Sequence, residues 1–414
     1  MKLLHTGELY WPTTLAAPKQ YEPLRRSIRV NAVIVGGGMS GIICGHRLVN
    51  NGLSAVILER NTIAGGSSSA STGLLQYSND VMLCELIEQI GEQRAVQFYS
   101  ACRDAVGQFG QLASKLPIDV GFQNQSSLYY ASSEQDLPKL MREYETLHKH
   151  GFAVERWSAD DISRHFPFRK PGAIITHGDA EINPYRFIHA LADNVEAAGL
   201  HIYEHTDVVS CKPVQGSEHR HCLLTSDGCQ IEADHIIFTV GYEPEELAGT
   251  FIKAELNRSY AAVTVVQDKQ KLEQLWHQRY MIWETARPYL YMRTSIDNRI
   301  IIGGLDEQTA HPIEGEKSRQ RRIERLSEKL AAHFPQLDAV FEYEWSATFG
   351  ESKDNLPFIG QDPAVPGLYY GLGYGGNGSV YSMVASQLLT NLILGKHDPI
   401  AEIVRLDRPS LLNV

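Results

Sequence analysis

Apolar positions along the chain fall into two rhythms. From residue 28 the hydrophobic positions close up into Val33-Ile34-Val35 and then stop at three glycines, which predicts a buried strand over 28–35. Residues 39–51 carry Ile42, Ile43 and Leu48 at helical spacing and end at Asn51-Gly52, the mark of a helix and its stop. Ala55 to Leu58 is a second short strand, with Glu59 at its end. Over 81–116 a three- and four-residue period (Leu83, Leu86, Ile87, Ile90, then Phe98, Cys102, Val106 and Phe109) predicts a helix with a packing face. Short strands are expected in 117–133, a helix over 134–150, a short helix and turn over 157–168, and a strand at 173–176. Asn183-Pro184 opens a helix, Pro being tolerated at its first position, and Ala198-Gly199 closes it before a strand at 200–203.

The second half reads as more β-rich. A hairpin is expected around Ser226-Asp227-Gly228, followed by an apolar strand running into Gly241. RSYAAVTVV is one strand, and 287–294 and 299–304 form a hairpin across the turn Ser295 to Asn298. Period two puts Tyr289, Tyr291 and Arg293 on one face, which suits a wall that binds a carboxylate or aligns an amine; an exposed sheet face reads equally well. The sign-alternating run at 314–329 predicts a solvated amphipathic helix. Near the end, a strand at 367–371 meets Gly373, Gly375, Gly376 and Gly378, and a helix follows over 379–394.

The first glycine cluster has a specific physical reading. Gly36, Gly38 and Gly41 give GxGxxG directly after a strand and before a helix. The first permits a tight turn, the second lets backbone approach a pyrophosphate, and the third lets helix and strand pack closely. The helix start, at Met39 and Ser40, offers unsatisfied N–H groups to an anion. Glu59 lies 18 residues past Gly41, where a carboxylate can take the hydroxyls of a ribose. The next stretch, Gly65 to Gly73, is made of glycine, serine, alanine and threonine, suited to close approach of a large planar cofactor and its phosphates.

Composition narrows the classes. With 414 residues the chain has room for two or three domain cores. Its 43% apolar and 21% charged residues suit a globular enzyme, and a net charge of −11 argues against a nucleic-acid partner. No apolar stretch reaches the length of a membrane span, and the N-terminus lacks the apolar core of a secretory signal. The six cysteines are scattered and form no CxxC, and no Cys/His spacing fits a zinc site, so no metal is expected and the thiols suit a reducing cytoplasm.

VIVGGGMSGI, VILER and GGSSSASTGLLQ together resemble the FAD-dependent D-amino-acid oxidase superfamily, which includes glycine oxidase, sarcosine oxidase and related amine oxidoreductases. The lead-in YWPTTLAAPKQYEPLRRSIRV looks like that of its bacterial amine-oxidase-like members, and DNLPFIG resembles the D-x-x-P-x-I-G segment of the family. The resemblance implies an α/β chain with a Rossmann-like FAD-binding domain and a discontinuous β-rich substrate domain. The first would comprise 28–80, 180–250 and 345–396, and the second 81–179 and 251–344, with an N-terminal extension 1–27 and a C-terminal tail 397–414. It implies FAD contacts from Gly36, Gly38, Met39, Ser40, Gly41, Glu59 and Arg60, and from Gly66, Ser67, Ser68, Thr72, Gly73 and Leu74 in the small-residue loop. Val208, Gly241 and the second helix start (Gly375, Gly376, Asn377, Gly378, Ser379) complete the set, that helix start solvating negative charge at the flavin N1–C2=O edge. Sarcosine oxidases carry a lysine just after the final glycine and a cysteine that tethers flavin; here Ser379-Val380-Tyr381 follows the glycine and no cysteine lies beyond Cys229, so FAD is expected to be non-covalent.

The implied reaction is oxidation of an amine or amino-acid C–N bond by hydride transfer to flavin N5, with oxygen or another acceptor taking the electrons. For the substrate, Arg293 is expected to pair with a carboxylate, bracketed by Tyr291 and Tyr260, with Gln76 within reach of flavin or substrate. A flavin dehydrogenase of a hydroxy acid or polyol, and a non-catalytic FAD-binding subunit, are the alternatives, since fold does not dictate function.

Overall fold

The computed structural model describes residues 4–217, 219–241, 254–309 and 316–411. The expected segments 1–27, 180–250, 251–344 and 397–414 each include residues outside that set, as does the start of the 314–329 run.

Two sheets organise the chain. The first runs in the order Phe358–Gln361, Leu368–Leu372, Gln230–Phe238, Ile28–Val35, Ala55–Leu58 and His201–Tyr203. The four pairings from Leu368–Leu372 to His201–Tyr203 are parallel; the edge strand Phe358–Gln361 is antiparallel, and so are two strands off this path, His221–Thr225 on Gln230–Phe238 and Val208–Pro213 on His221–Thr225. Parallel strands are buried on both faces, which is why Val33, Ile34, Ile57 and Phe238 form unbroken apolar runs rather than alternating with polar residues. Helices Met39–Asn50, Pro184–Ala197, Glu92–Ala113 and Gly378–Ile393 pack with it into one apolar cluster that holds Ile42, Leu48, Phe98, Phe187 and Leu388.

The second sheet is ten-stranded and mostly antiparallel: His5–Gly7, Phe341–Glu351, Glu255–Thr264, Ile300–Glu307, Leu290–Thr294, Met281–Glu284, Gln123–Tyr130, Gly172–Glu181 and Leu74–Leu75, with Val154–Ser158 paired to Gly172–Glu181. One face is covered by helix Glu316–His333, whose Ile323, Leu326 and Leu330 join Tyr260, Met292 and Ile302 in a second core. The other face looks toward the glycine turns of the first sheet.

Local differences from the sequence-based expectations have plain causes. The helix expected over 81–116 is two helices, Leu83–Ile90 and Glu92–Ala113, because Gly91 between them takes φ +90°, which no right-handed helix accommodates. The start of the first is capped from a distance: Glu143, 2% exposed, accepts the N–H groups of Leu83 and Cys84 at 2.8 Å. The strand Phe341–Glu351 lies entirely in the second sheet, so the boundary expected at 345 falls inside one element. The described part of the expected N-terminal extension packs on the second sheet. His5–Gly7 pairs with Phe341–Glu351, and buried Tyr10 and Trp11 pack on the second sheet, where Trp11 Nε1 donates to Ser71 O at 2.5 Å. The tail is anchored as well: buried Arg408 forms a two-pronged ion pair with buried Asp354, both bonds 2.6 Å. Among the described residues all six cysteines are free, no group of side chains could hold a metal ion, and no helix is long and apolar enough to cross a membrane.

Candidate active site

Between the two sheets lies a cavity of about 760 Å³. One end is the first glycine turn. Gly36 takes φ +110°, and an added Cβ would lie 2.6 Å from Thr239 O. At Gly41 a Cβ would sit 1.9 Å from Gly36 O, so helix and turn can approach only with glycine there. Gly38 is different: an added Cβ would meet only Ser68 Oγ, at 3.0 Å, and otherwise open cavity. The Met39 N–H, pointing out of the helix start, donates to that same Ser68 oxygen at 3.0 Å. Small-residue loop and helix start thus converge on one spot, which suits a phosphate.

Glu59 stands half-buried beside this turn. Its carboxylate accepts the Gly37 N–H at 2.7 Å and the Asn61 N–H at 2.8 Å, and burial pushes its pKa up against those two bonds. Each carboxylate oxygen retains a second lone pair for a ribose hydroxyl.

The second helix start closes the middle of the cavity. Ser40 Oγ bonds Ser382 Oγ at 2.8 Å and Tyr374 OH at 3.1 Å, locking the beginnings of Met39–Asn50 and Gly378–Ile393 together. Asn377 Nδ2 donates to Gln76 O and Asn79 Oδ1, and the Gly376 N–H donates to Asp80 Oδ2 at 3.3 Å.

The far end is the face of the second sheet, with Tyr289, Tyr291, Ser259, Asp306 and Trp283. Trp283 stacks on Tyr129 at 3.7 Å between ring centres. Gln76 Nε2 donates to Ser127 Oγ, which donates to buried Asp179, so the Gln76 amide is held with its carbonyl oxygen left for a ligand. Four shielded polar atoms on cavity-lining side chains have no hydrogen-bond partner: Ser67 Oγ, Asn79 Nδ2, Trp283 Nε1 and Asp306 Oδ1. Orphaned groups of this kind cost free energy unless a ligand completes them.

Most of the residues expected at the cofactor line this cavity: Gly36, Gly38, Met39, Ser40, Glu59, Arg60, Gly66, Ser67, Ser68, Thr72, Leu74, Val208, Gly241 and the run 375–379. Gly41 and Gly73 sit just behind it as spacers; a Cβ on Gly73 would lie 2.2 Å from Ile182 O. Of the four residues expected at the substrate, Gln76 and Tyr291 line the cavity, and Tyr260 and Arg293 do not.

Tyr260 is a correction of face. Strand Glu255–Thr264 turns Ser259 to the cavity and Tyr260 to the opposite core, where its hydroxyl donates to Glu307 at 3.0 Å. Arg293 is a correction of distance. It shares a face with Tyr291 but lies two residues, about 6–7 Å, further along. Its guanidinium is 2% exposed, ion-paired to fully buried Glu181 at 3.1 Å, and donates to Thr72 O, Ile182 O and Thr294 O. It braces the small-residue loop at Thr72, with its donors committed to Glu181 and three backbone carbonyls.

Asp80, Asn79, Trp283 and Asp306 are among the lining residues that periodicity did not single out. Asp306 carried a usable signal: it stands two residues after Gly304, inside a strand, where the backbone takes φ +118°. A Cβ at Gly304 would lie 2.1 Å from Tyr289 O, so the glycine also allows the two strands their close approach.

A parallel-sheet layer with a phosphate-type helix start, facing an aromatic wall across one deep cavity, defines a dinucleotide-cofactor enzyme with its substrate chamber built from a second sheet. The chain belongs to the FAD-dependent oxidoreductase (DAO) family, whose model matches residues 31–392, and it is a FAD-dependent enzyme. It is 26% identical over 406 residues to gamma-glutamylputrescine oxidoreductase of Escherichia coli (strain K12), covering 94% of this chain and 89% of that protein. Glycine oxidase of Geobacillus kaustophilus (strain HTA426) is 24% identical over 383 residues, 88% of this chain and 93% of that one. The crystal structure of glycine oxidase from Geobacillus kaustophilus superposes with a TM-score of 0.76 at 22% identity, covering 92% of this chain and 99% of that one. The D-amino-acid-oxidase-like two-domain fold is therefore the fold of this chain. The cavity fits FAD on its own evidence: spacer glycines at one end, two helix starts, and orphaned donors along its length.

Proposed function

We propose that the protein oxidises the C–N bond of an amine or amino acid, with FAD held non-covalently. The observation that carries this reading is the continuity of the cavity: one space joins the Gly36–Ser40 cradle and Glu59 to the chamber of Tyr289, Tyr291, Trp283 and Gln76. FAD, when bound, supplies the two-electron acceptor: a hydride leaves the carbon bearing nitrogen, a proton leaves the nitrogen, and water turns the resulting imine into a carbonyl compound and a free amine. Glu59 would hold the ribose, and the N–H groups at the start of Met39–Asn50 the pyrophosphate. The Gln76 carbonyl oxygen would accept from the substrate nitrogen, keeping its lone pair oriented for hydride loss. Tyr291, packed across Gly303 (a Cβ there would lie 2.5 Å from the Tyr291 hydroxyl), would be a rigid wall that positions the carbon. The stacked Trp283–Tyr129 pair would form an apolar wall at that end. No cysteine lines the cavity among the described residues, which supports a non-covalent cofactor. The relatives named for gamma-glutamylputrescine and glycine support an amine-type substrate. Oxygen or another electron acceptor would complete the cycle, and the free thiols suit a reducing compartment such as the cytoplasm.

The test is anaerobic mixing of the FAD-loaded protein with amines, amino acids and hydroxy acids. Loss of the yellow absorbance with an amine or amino acid is expected. Loss with hydroxy acids or polyols alone would replace this reading with an alcohol dehydrogenase, and loss with no compound of a broad panel would leave a binding subunit.

A further inference from the structure

The charges at the substrate end are of one sign. Asp80 and Asp306 line the cavity there, and Glu351 stands beside them: a Cβ on Gly375 would lie 3.6 Å from Glu351 Cγ and 3.9 Å from Asp80 Oδ2. A Cβ on Gly376 would lie 2.8 Å from Asp80 Oδ2 and 2.9 Å from Tyr289 OH, so that carboxylate and that phenol flank the same glycine. Among the described residues lining the cavity, Arg60 is the only lysine or arginine, and it follows Glu59 at the nucleotide end. Arg293 is committed to Glu181 and three carbonyls. Arg287, exposed at the rim, donates to Asp80 O at 2.8 Å and lies 4.7 Å over the Tyr289 ring without lining the cavity.

These acids have neutral partners: Glu351 accepts from Asn257 Nδ2 at 2.7 Å, Asp80 from the Gly376 N–H at 3.3 Å, and the Asp306 carboxyl from the Ser259 hydroxyl. One oxygen of that carboxyl, Asp306 Oδ1, is shielded from solvent and has no hydrogen-bond partner. Burial and the neighbouring Asp80 carry the Asp306 carboxyl up to about 6, against Ser259 and Arg287, which lower it. Burial, Asp80, Asp306 and Glu255 carry Glu351 up to about 7, against Arg287. Around them stand Tyr289 and Tyr291, with ring centres 5.9 Å apart, and the Trp283–Tyr129 stack; such faces attract a cation.

Resting on the amine reading above, we propose that the substrate is an amine that carries a second cationic nitrogen and no carboxylate, with Asp80 and Asp306 holding that second charge. The carboxylates favour the protonated form of any nitrogen beside them, whereas hydride loss needs a neutral amine. The nitrogen they hold is therefore the non-reacting one, and the reacting carbon lies further along the chain of the substrate. A substrate carboxylate in their place would be repelled.

Two measurements on the FAD-loaded protein test this. The first compares anaerobic flavin reduction by 1,4-diaminobutane, butylamine and 4-aminobutanoate, which share a four-carbon skeleton and end in an ammonium, a methyl and a carboxylate. The diamine should half-saturate at concentrations about tenfold or more below the other two, the equivalent of one partly buried ion pair. Asp306→Asn and, separately, Asp80→Asn should each remove most of that preference. A preference for 4-aminobutanoate, glycine or alanine, or an unchanged ratio in both variants, overturns the proposal while leaving amine oxidation standing. The second measurement does not depend on turnover: calorimetric binding of 1,4-bis(trimethylammonio)butane, which has no nitrogen lone pair to oxidise, against succinate. The dication should bind the tighter of the two and lose about tenfold in Asp306→Asn. If no amine bleaches the flavin, the amine reading falls, and this binding result alone decides the charge assignment. Succinate binding as well as the dication overturns it.

Discussion

Arg293→Met separates a bracing role from a substrate role. The guanidinium and Glu181 are 2% and 0% exposed, and their ion pair is 3.1 Å long. Methionine keeps much of the apolar stem but leaves the Glu181 carboxylate buried without a counter-charge and strips donors from Thr72 O and Ile182 O. Removing one partner of a buried pair costs about 3–5 kcal/mol. For a 414-residue chain the entropy of unfolding near 60 °C is roughly 0.9 kcal/mol/K, so the thermal midpoint should fall by about 3–6 °C. Adding Glu181→Gln removes the stranded charge and should return about 1–3 kcal/mol of the loss, a coupling that additive effects would not give. The assay is a thermal scan of the FAD-loaded single and double variants, paired with half-saturating substrate concentrations for anaerobic flavin reduction. An unchanged midpoint, together with a hundredfold weaker response to carboxylated substrates and no effect on plain amines, would refute the bracing argument and return Arg293 to the substrate.

Further outcomes are expected. Gly41→Ala should abolish FAD retention, read as loss of yellow colour after purification, because its Cβ would lie 1.9 Å from Gly36 O; Gly107→Ala, in helix Glu92–Ala113 with nothing within 4 Å, should keep FAD and gain up to about 1 kcal/mol. Arg408→Ala should cost about 3–5 kcal/mol by stranding Asp354, and limited proteolysis should then clip the last residues first. Burial pushes His189 and His333 down to about 4, so unfolded chains take up their protons near 6.5 while the fold resists until about 4. Their stability contribution is complete above pH 6.5 and lost as pH falls from 6.5 to 4, of the order of 3 kcal/mol each. Asp306 and Glu351, with raised values, act in the opposite sense, so the measurement is a comparison: urea midpoints at pH 7 and pH 5 should differ less in His189→Met than in the unaltered protein.

The cofactor half was legible because its information is local. A strand, a glycine turn, a helix and an acid all lie within residues 28–59, and backbone sterics alone require glycine at positions 36 and 41. The substrate half was legible only in part, because its residues come from far-apart segments. Ser127, which orients Gln76, is 51 positions away, and Asp80 meets Gly376 across 296. The strand period correctly grouped Tyr289 and Tyr291, but a register irregularity between Arg258 and Tyr260 removes any simple count of faces there. Arg293 shows the same limit from another side: a guanidinium on the expected face is a ligand-binding group only if no buried carboxylate takes it first, and Glu181 arrives from a strand 112 residues earlier.

What the amino-acid sequence determined by itself is the dinucleotide cradle, the alternation of elements and the net negative charge. Each depends on short-range sterics or on composition. The sign of the charge in the substrate chamber was decided only by the tertiary structure. Burial depends on which elements cover a residue, and the effect of a buried charge depends on the partner that packing delivers.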